Sequence, residues 1–127
     1  MDFSKITASK YVSYFSSVSE SSIDERIMNE FLNEMIEASE SLDKSKIAPP
    51  TEVVKGIKER LGLDGGVYGI ITQIARGDLI NSLSSFEIFT LLWFVSCRNS
   101  LSYEEGVYYN MAKNKTIGNL LKKLVSF

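Results

Sequence analysis

The stretch from Ser84 to Cys97 constrains most strongly what this chain can fold into. Ser84 and Glu87 stand three residues apart. That is the spacing of a capping box, in which a hydroxyl and a carboxylate each take a backbone N–H at the start of a helix. Behind them Phe86, Ile88, Phe89, Leu91, Leu92, Trp93, Phe94 and Val95 leave almost no polar face. A helix that is apolar on every side in a water-soluble protein has to be surrounded by other elements. The sequence therefore predicts an all-α protein, a compact bundle of six or seven short helices around a hydrophobic central helix at about 86–97. The longest apolar run, residues 88–95, is interrupted by Thr90 and is far shorter than the roughly 20 residues a bilayer requires.

The remaining segments supply the surrounding helices. Ala8, Tyr11, Val12, Phe15 and Val18 recur at helical spacing and predict a first helix over residues 3–18. Ser22 and Glu25 make a second capping box, opening a helix whose buried side is Ile23, Ile27, Phe31, Met35 and Ala38. Residues 39–50 lack periodicity, end in Pro49 and Pro50, and read as the longest loop. Thr51 is placed as the cap of a third helix carrying Val53, Val54, Ile57 and Leu61, with Gly62 as a left-handed stop. Residues 67–75 have strand-like composition, but Ile70, Ile71 and Ile74 before Arg76-Gly77 favour a helix. Ser102 and Glu105 form a third box before a helix running to about Lys113. Asn114 ends that helix, and Thr116 caps a last one burying Ile117, Leu120, Leu121 and Leu124. At 127 residues the chain reads as one globular domain, residues 1–127. A domain of that size buries enough surface to need neither metal nor disulfide.

The residue inventory removes most catalytic chemistries. With no histidine there is no Ser-His-Asp triad, no Cys-His pair and no histidine-bound metal. Cys97 ends the greasiest helix, where a buried, inert thiol is expected, because burial opposes thiolate formation. Residues 62–69 are glycine-rich, but the Lys-Ser/Thr that a phosphate loop needs does not follow, so they read as a turn. The adjacent acids Asp24-Glu25 and Glu104-Glu105 point about 100° apart and sit in first turns, where they favour the helix dipole. Only oxygen ligands remain for a metal, and no calcium-loop spacing occurs. The expectation is a protein without enzymatic activity, cofactor or metal. A single cysteine and the polar residues Asp2 and Lys5 near the start fit a cytoplasmic protein. The formal charge of −2 disfavours nucleic acid as a general partner.

Charge is unevenly spread. Between Glu20 and Asp43 eight acids face one base, Arg26, for a net −7, whereas residues 44–60 carry +3. Glu30, Glu34 and Glu37 fall on the side of the second helix opposite its apolar stripe, and Glu40 and Asp43 extend the acidic field. Such a face is either solvated surface or the complement of a basic partner. Its like charges at spacings of three and four cost a few tenths of a kcal/mol per pair, and acids near a helix C-terminus oppose the dipole. Tyr109 lies opposite Tyr103, Val107, Tyr108 and Met111. It reads either as an exposed interface anchor or as one side of a helix packed on two faces.

The segment carrying Arg98, Leu101, Glu105-Gly106, Ile117, Leu120-Leu121 and Leu124 resembles the tail of small helical bacterial proteins. Some of these are immunity proteins of contact-dependent growth inhibition systems. The resemblance is confined to the C-terminal third and rests mostly on apolar helix positions. It implies a cytosolic, non-enzymatic protein that binds and neutralises a cognate toxin domain, often a nuclease, and it carries no binding residue across. The partner expected on this reading is a toxin with a basic surface, met by Glu30, Glu34, Glu37, Glu40, Asp43 and Tyr109. The alternative is a phage-type or host adaptor that regulates another protein.

Overall fold

Capping explains where several of the helices begin or end. A computed structural model of the protein describes residues 5–42, 45, 48–97 and 106–127. Among these the chain forms α1 (Lys5–Ser17), α2 (Glu25–Glu40), α3 (Pro50–Leu61), α4 (Val67–Arg76), α5 (Ser85–Ser96), α6 (Val107–Lys113) and α7 (Thr116–Val125). Single 3-10 turns occupy Glu20–Ser22 and Asp78–Ser82, and no strand is present among the described residues. The protein is all-helical, as its periodicity predicts. Residues 67–75 are helical too, despite their β-branched content.

α5 is the central helix. Ser84 Oγ accepts the Glu87 N–H at 3.2 Å, and the Glu87 carboxylate accepts the Ser84 N–H at 2.9 Å, closing the predicted box. Every residue from Ile88 to Cys97 is buried, and α5 packs against α2, α3, α6 and α7. Its two buried hydroxyls are satisfied locally: Thr90 Oγ1 donates to the Phe86 carbonyl at 2.8 Å, and Ser96 Oγ donates to that of Leu92. A helix can therefore carry Ser and Thr in a core without paying for unmade hydrogen bonds. At its start, Arg60 of α3 forks onto Glu87 at 2.8 and 3.1 Å. Burial pushes the Glu87 carboxyl up, but the Arg60 guanidinium and the Ser84 donors outweigh it and hold it below the usual range.

Three caps differ from the sequence expectation. α2 is capped by Asp24, whose carboxylate accepts the Arg26 and Ile27 N–H groups, while Ser22 serves the preceding 3-10 turn with Ser19. α3 starts at Pro50, which occupies the first helical position that its missing N–H suits, so Thr51 lies inside the helix. Before α7 it is Asn114 Oδ1 that takes the Thr116 N–H, at 3.0 Å. Gly62 does end α3 in the left-handed region (φ 65°), with the Leu63 N–H reaching back to the Lys58 carbonyl. The box expected at Ser102 and Glu105 lies outside the described residues, as does Phe3 at the expected start of the first helix.

The most extensive helix pairing joins α1 to α7. Gly118 makes it possible: a Cβ there would stand 2.4 Å from the Phe15 carbonyl oxygen. Only glycine lets the two backbones approach so closely. Alongside, the Lys115 ammonium donates to the Val18 carbonyl just past the end of α1, where a cation complements the helix dipole.

Candidate functional site

α2 is the acidic helix, and its neighbours determine which of its carboxylates are available. Its core-facing stripe is Met28, Phe31, Met35 and Ser39, with Ile27 and Ala38 at the margin rather than in the stripe. Phe31 is the hub. The Tyr11 and Phe15 rings of α1 meet it edge-on at 5.2 and 4.8 Å, and Tyr108 of α6 stacks at 6.3 Å. α1 and α6 thus approach α2 from its two sides.

Tyrosine hydroxyls fasten α2 at several points. Tyr11 donates to the Glu34 carboxylate, and Lys10 stands 3.6 Å from the same group. Tyr108 donates to the Met28 carbonyl at 2.6 Å in the interior. Tyr109 donates to Glu25 at 2.6 Å, and Tyr14 Oη accepts the Asp24 N–H at 2.8 Å. Burial, the Glu34 hydrogen bond and the charges of Glu34 and Glu30 raise the Tyr11 phenol well above its ordinary range. Burial does the same to Tyr108. Both phenols stay protonated and remain donors throughout the physiological range.

The structure departs from the expectation for Glu34 and decides between the two readings of Tyr109. Glu34 does not share the outward face: its side chain keeps 31% exposure and is turned to α1. Tyr109 is half-buried against the core, with its hydroxyl engaged by Glu25. Its ring also packs beside Tyr108 at 5.7 Å. Asp43 lies outside the described residues. Glu30, Glu37 and Glu40 are exposed. At 100° per residue they share one outward arc with Arg26 and Asn33. Glu30 and Glu37 are seven residues apart, about 10 Å along the axis, which exceeds the Debye length of about 8 Å at physiological salt. With Glu34 drawn to Lys10 and Tyr11, its share of the like-charge cost is offset, while Glu37 and Glu40, three residues apart, still repel. What remains is a firmly seated helix presenting three exposed carboxylates that enter no ion pair or hydrogen bond among the described residues.

The other sequence motifs resolve as structural features. Cys97 is fully buried beside Ser96, and burial pushes its thiol up to about 11, far from nucleophilic. Residues 62–66 make the α3–α4 turn. Asp24 caps α2, and Glu25 meets Tyr109, so this acid pair serves the helix start; Glu104-Glu105 lies outside the described residues. Among the described residues no group of three or more histidine, cysteine, aspartate or glutamate side chains could hold a metal ion. None of the described helices is long and apolar enough to cross a membrane. No protein-family model, characterised protein or solved structure matches the chain. The tyrosines that seat α2 were not visible in advance. Tyr11 reads only as a member of the α1 stripe, and its partner Glu34 is 23 residues away.

Proposed function

We propose that this protein is a non-enzymatic, cytoplasmic binding protein that acts as an immunity protein, neutralising a bacterial toxin domain with a basic surface. A nuclease fits best, because its groove must present cations to phosphates. The observation that carries this reading is the outward arc of α2: Glu30, Glu37 and Glu40 are exposed, and unpaired among the described residues, on a helix whose backbone is pinned from both sides. A pre-seated row of carboxylates loses little freedom on binding and speeds encounter with a cationic groove through long-range attraction. The absence of histidine from the chain supports binding over hydrolytic chemistry.

Co-expression with a candidate toxin domain from a neighbouring gene tests the reading. The expected result is restored growth of the toxin-producing cells and a stable complex of the two proteins on gel filtration. Failure to protect and to form a complex would contradict it. A complex without protection would favour the adaptor reading.

A further inference from the structure

We propose that the surface where α4 meets α7 binds an acidic segment of a protein partner, carboxylates over its cations and an apolar side chain in the groove beside them. Two concavities adjoin there and share Arg76. The first, of about 400 Å³, brings together Arg76, Asn81, Asn119, Lys122, Lys123 and Ser126, with no carboxylate in its wall. Asp78 follows Arg76 closely in sequence but is not part of that wall. Arg76 and Lys122 enter no ion pair among the described residues, and the Lys123 ammonium lies 5.2 Å from the Phe127 ring. Each cation ends a helix, where it complements the dipole. That explains them singly, but not their convergence from two helices on one hollow lined with amide donors.

The second concavity, of about 600 Å³, continues past Arg76 along α4 to Tyr68, Thr72, Gln73 and Met111. Its wall is fixed from behind. The Tyr68 ring leans on Phe94 at 5.6 Å, and the Thr72 hydroxyl points to the Met111 sulfur at 3.6 Å. An aromatic and a methionine beside a cationic hollow suit a peptide that carries an apolar anchor next to its acids, the arginine fork taking a carboxylate bidentately. Nucleic acid fits less well. Three cations would neutralise about three phosphates, where duplex binders commonly use 6–10. None of these residues belongs to α2, so this surface is independent of the acidic arc.

The test uses the full-length protein and a fluorescein-labelled peptide rich in glutamate and phenylalanine. Its lysine-for-glutamate counterpart and a single-stranded oligothymidine serve as comparison probes. Backbone amide NMR shifts in the wild type should move with the acidic peptide at residues 68–77, 111 and 119–126, and saturate. Anisotropy should show binding weakened about tenfold in Arg76→Ser/Lys122→Ser. Both side chains are exposed, so the melting curve should be unchanged, and substitutions on α2 should leave this binding intact. Shifts elsewhere, no saturation, equal affinity of the double variant, or equal binding of the lysine peptide would overturn the proposal. Tighter binding of the oligonucleotide to the same residues would overturn it in favour of a nucleic-acid surface.

Discussion

α5 and α2 are both essential helices of this fold, and they are held in opposite ways. α5 is buried on every side and fastened by apolar contact, with its only ion pair among the described residues at its start. α2 buries a single stripe and depends for the rest on hydroxyls offered by tyrosines of α1 and α6. Burial is non-directional and roughly proportional to area, so α5 has no single decisive neighbour. Hydrogen bonds are directional and individually worth about 0.5–1.5 kcal/mol, so α2 is fixed in orientation more than in depth. Orientation matters for a helix that displays charges. The contrast separates a helix held by burial from one held in orientation, whose exposed acids the proposed function uses.

The largest effect should come from α5. Trp93, 3% exposed, packs beside Phe89 at a ring separation of 6.4 Å. Trp93→Ala should cost about 3–5 kcal/mol, a large part of the 5–15 kcal/mol typical of a domain, and lower the urea midpoint accordingly. An unchanged midpoint would mean that α5 is not the core. Gly118→Ala comes next. It improves helix propensity by about 1 kcal/mol but drives a methyl into the Phe15 carbonyl, and strain should win by about 1–3 kcal/mol. Because α1 carries Tyr11, this variant should also loosen α2, seen as faster amide exchange there than in α5.

Smaller effects should follow from the hydroxyls. Tyr108→Phe should cost about 1 kcal/mol at neutral pH, read from chemical denaturation. Its pH dependence gives a sharper signature. The folded-state phenol is raised above its unfolded value near 10, so above that pH the unfolded chain loses a proton that the folded chain keeps. Stability contributed by Tyr108 is therefore complete below about pH 10 and falls as pH rises further. Tyr108→Phe should flatten that alkaline decline, and an identical slope in both proteins would assign the decline elsewhere.

The two helices also differ in how legible they were. The Ser84–Glu87 box and the all-round apolar run are local signals that agree with each other, so α5 could be read almost to the residue. α2 was legible as a helix, and Glu30 and Glu37 were correctly placed on its outward side. Its start was not, because Ser22 is occupied by a preceding turn and Asp24 caps better in place. The fates of Glu34 and Tyr109 depend on Tyr11 and Glu25, partners distant in sequence, and no periodicity encodes such a pairing. Gly118 looks like a mild helix breaker until α1 is laid against it. The basic hollow is built from α4 and α7, whose cations are scattered through the chain and meet only in the fold.

The division of labour within α2 can be measured in one experiment. Glu34→Gln and the combined charge reversal Glu30→Lys/Glu37→Lys/Glu40→Lys are each assayed for stability by denaturation and for association rate with the toxin domain that the proposed function calls for, over a salt series. Glu34→Gln weakens the contacts of a half-exposed carboxylate with Tyr11 and Lys10, so it should lower stability by up to about 1 kcal/mol and leave the association rate nearly unchanged. The triple reversal should leave stability within about 0.5 kcal/mol, since the three side chains are exposed. It should slow association by at least about tenfold at low salt, with the difference shrinking as salt rises. Equal association rates for the triple reversal and the wild type at every salt concentration would contradict the assignment of the α2 arc as the partner-binding surface.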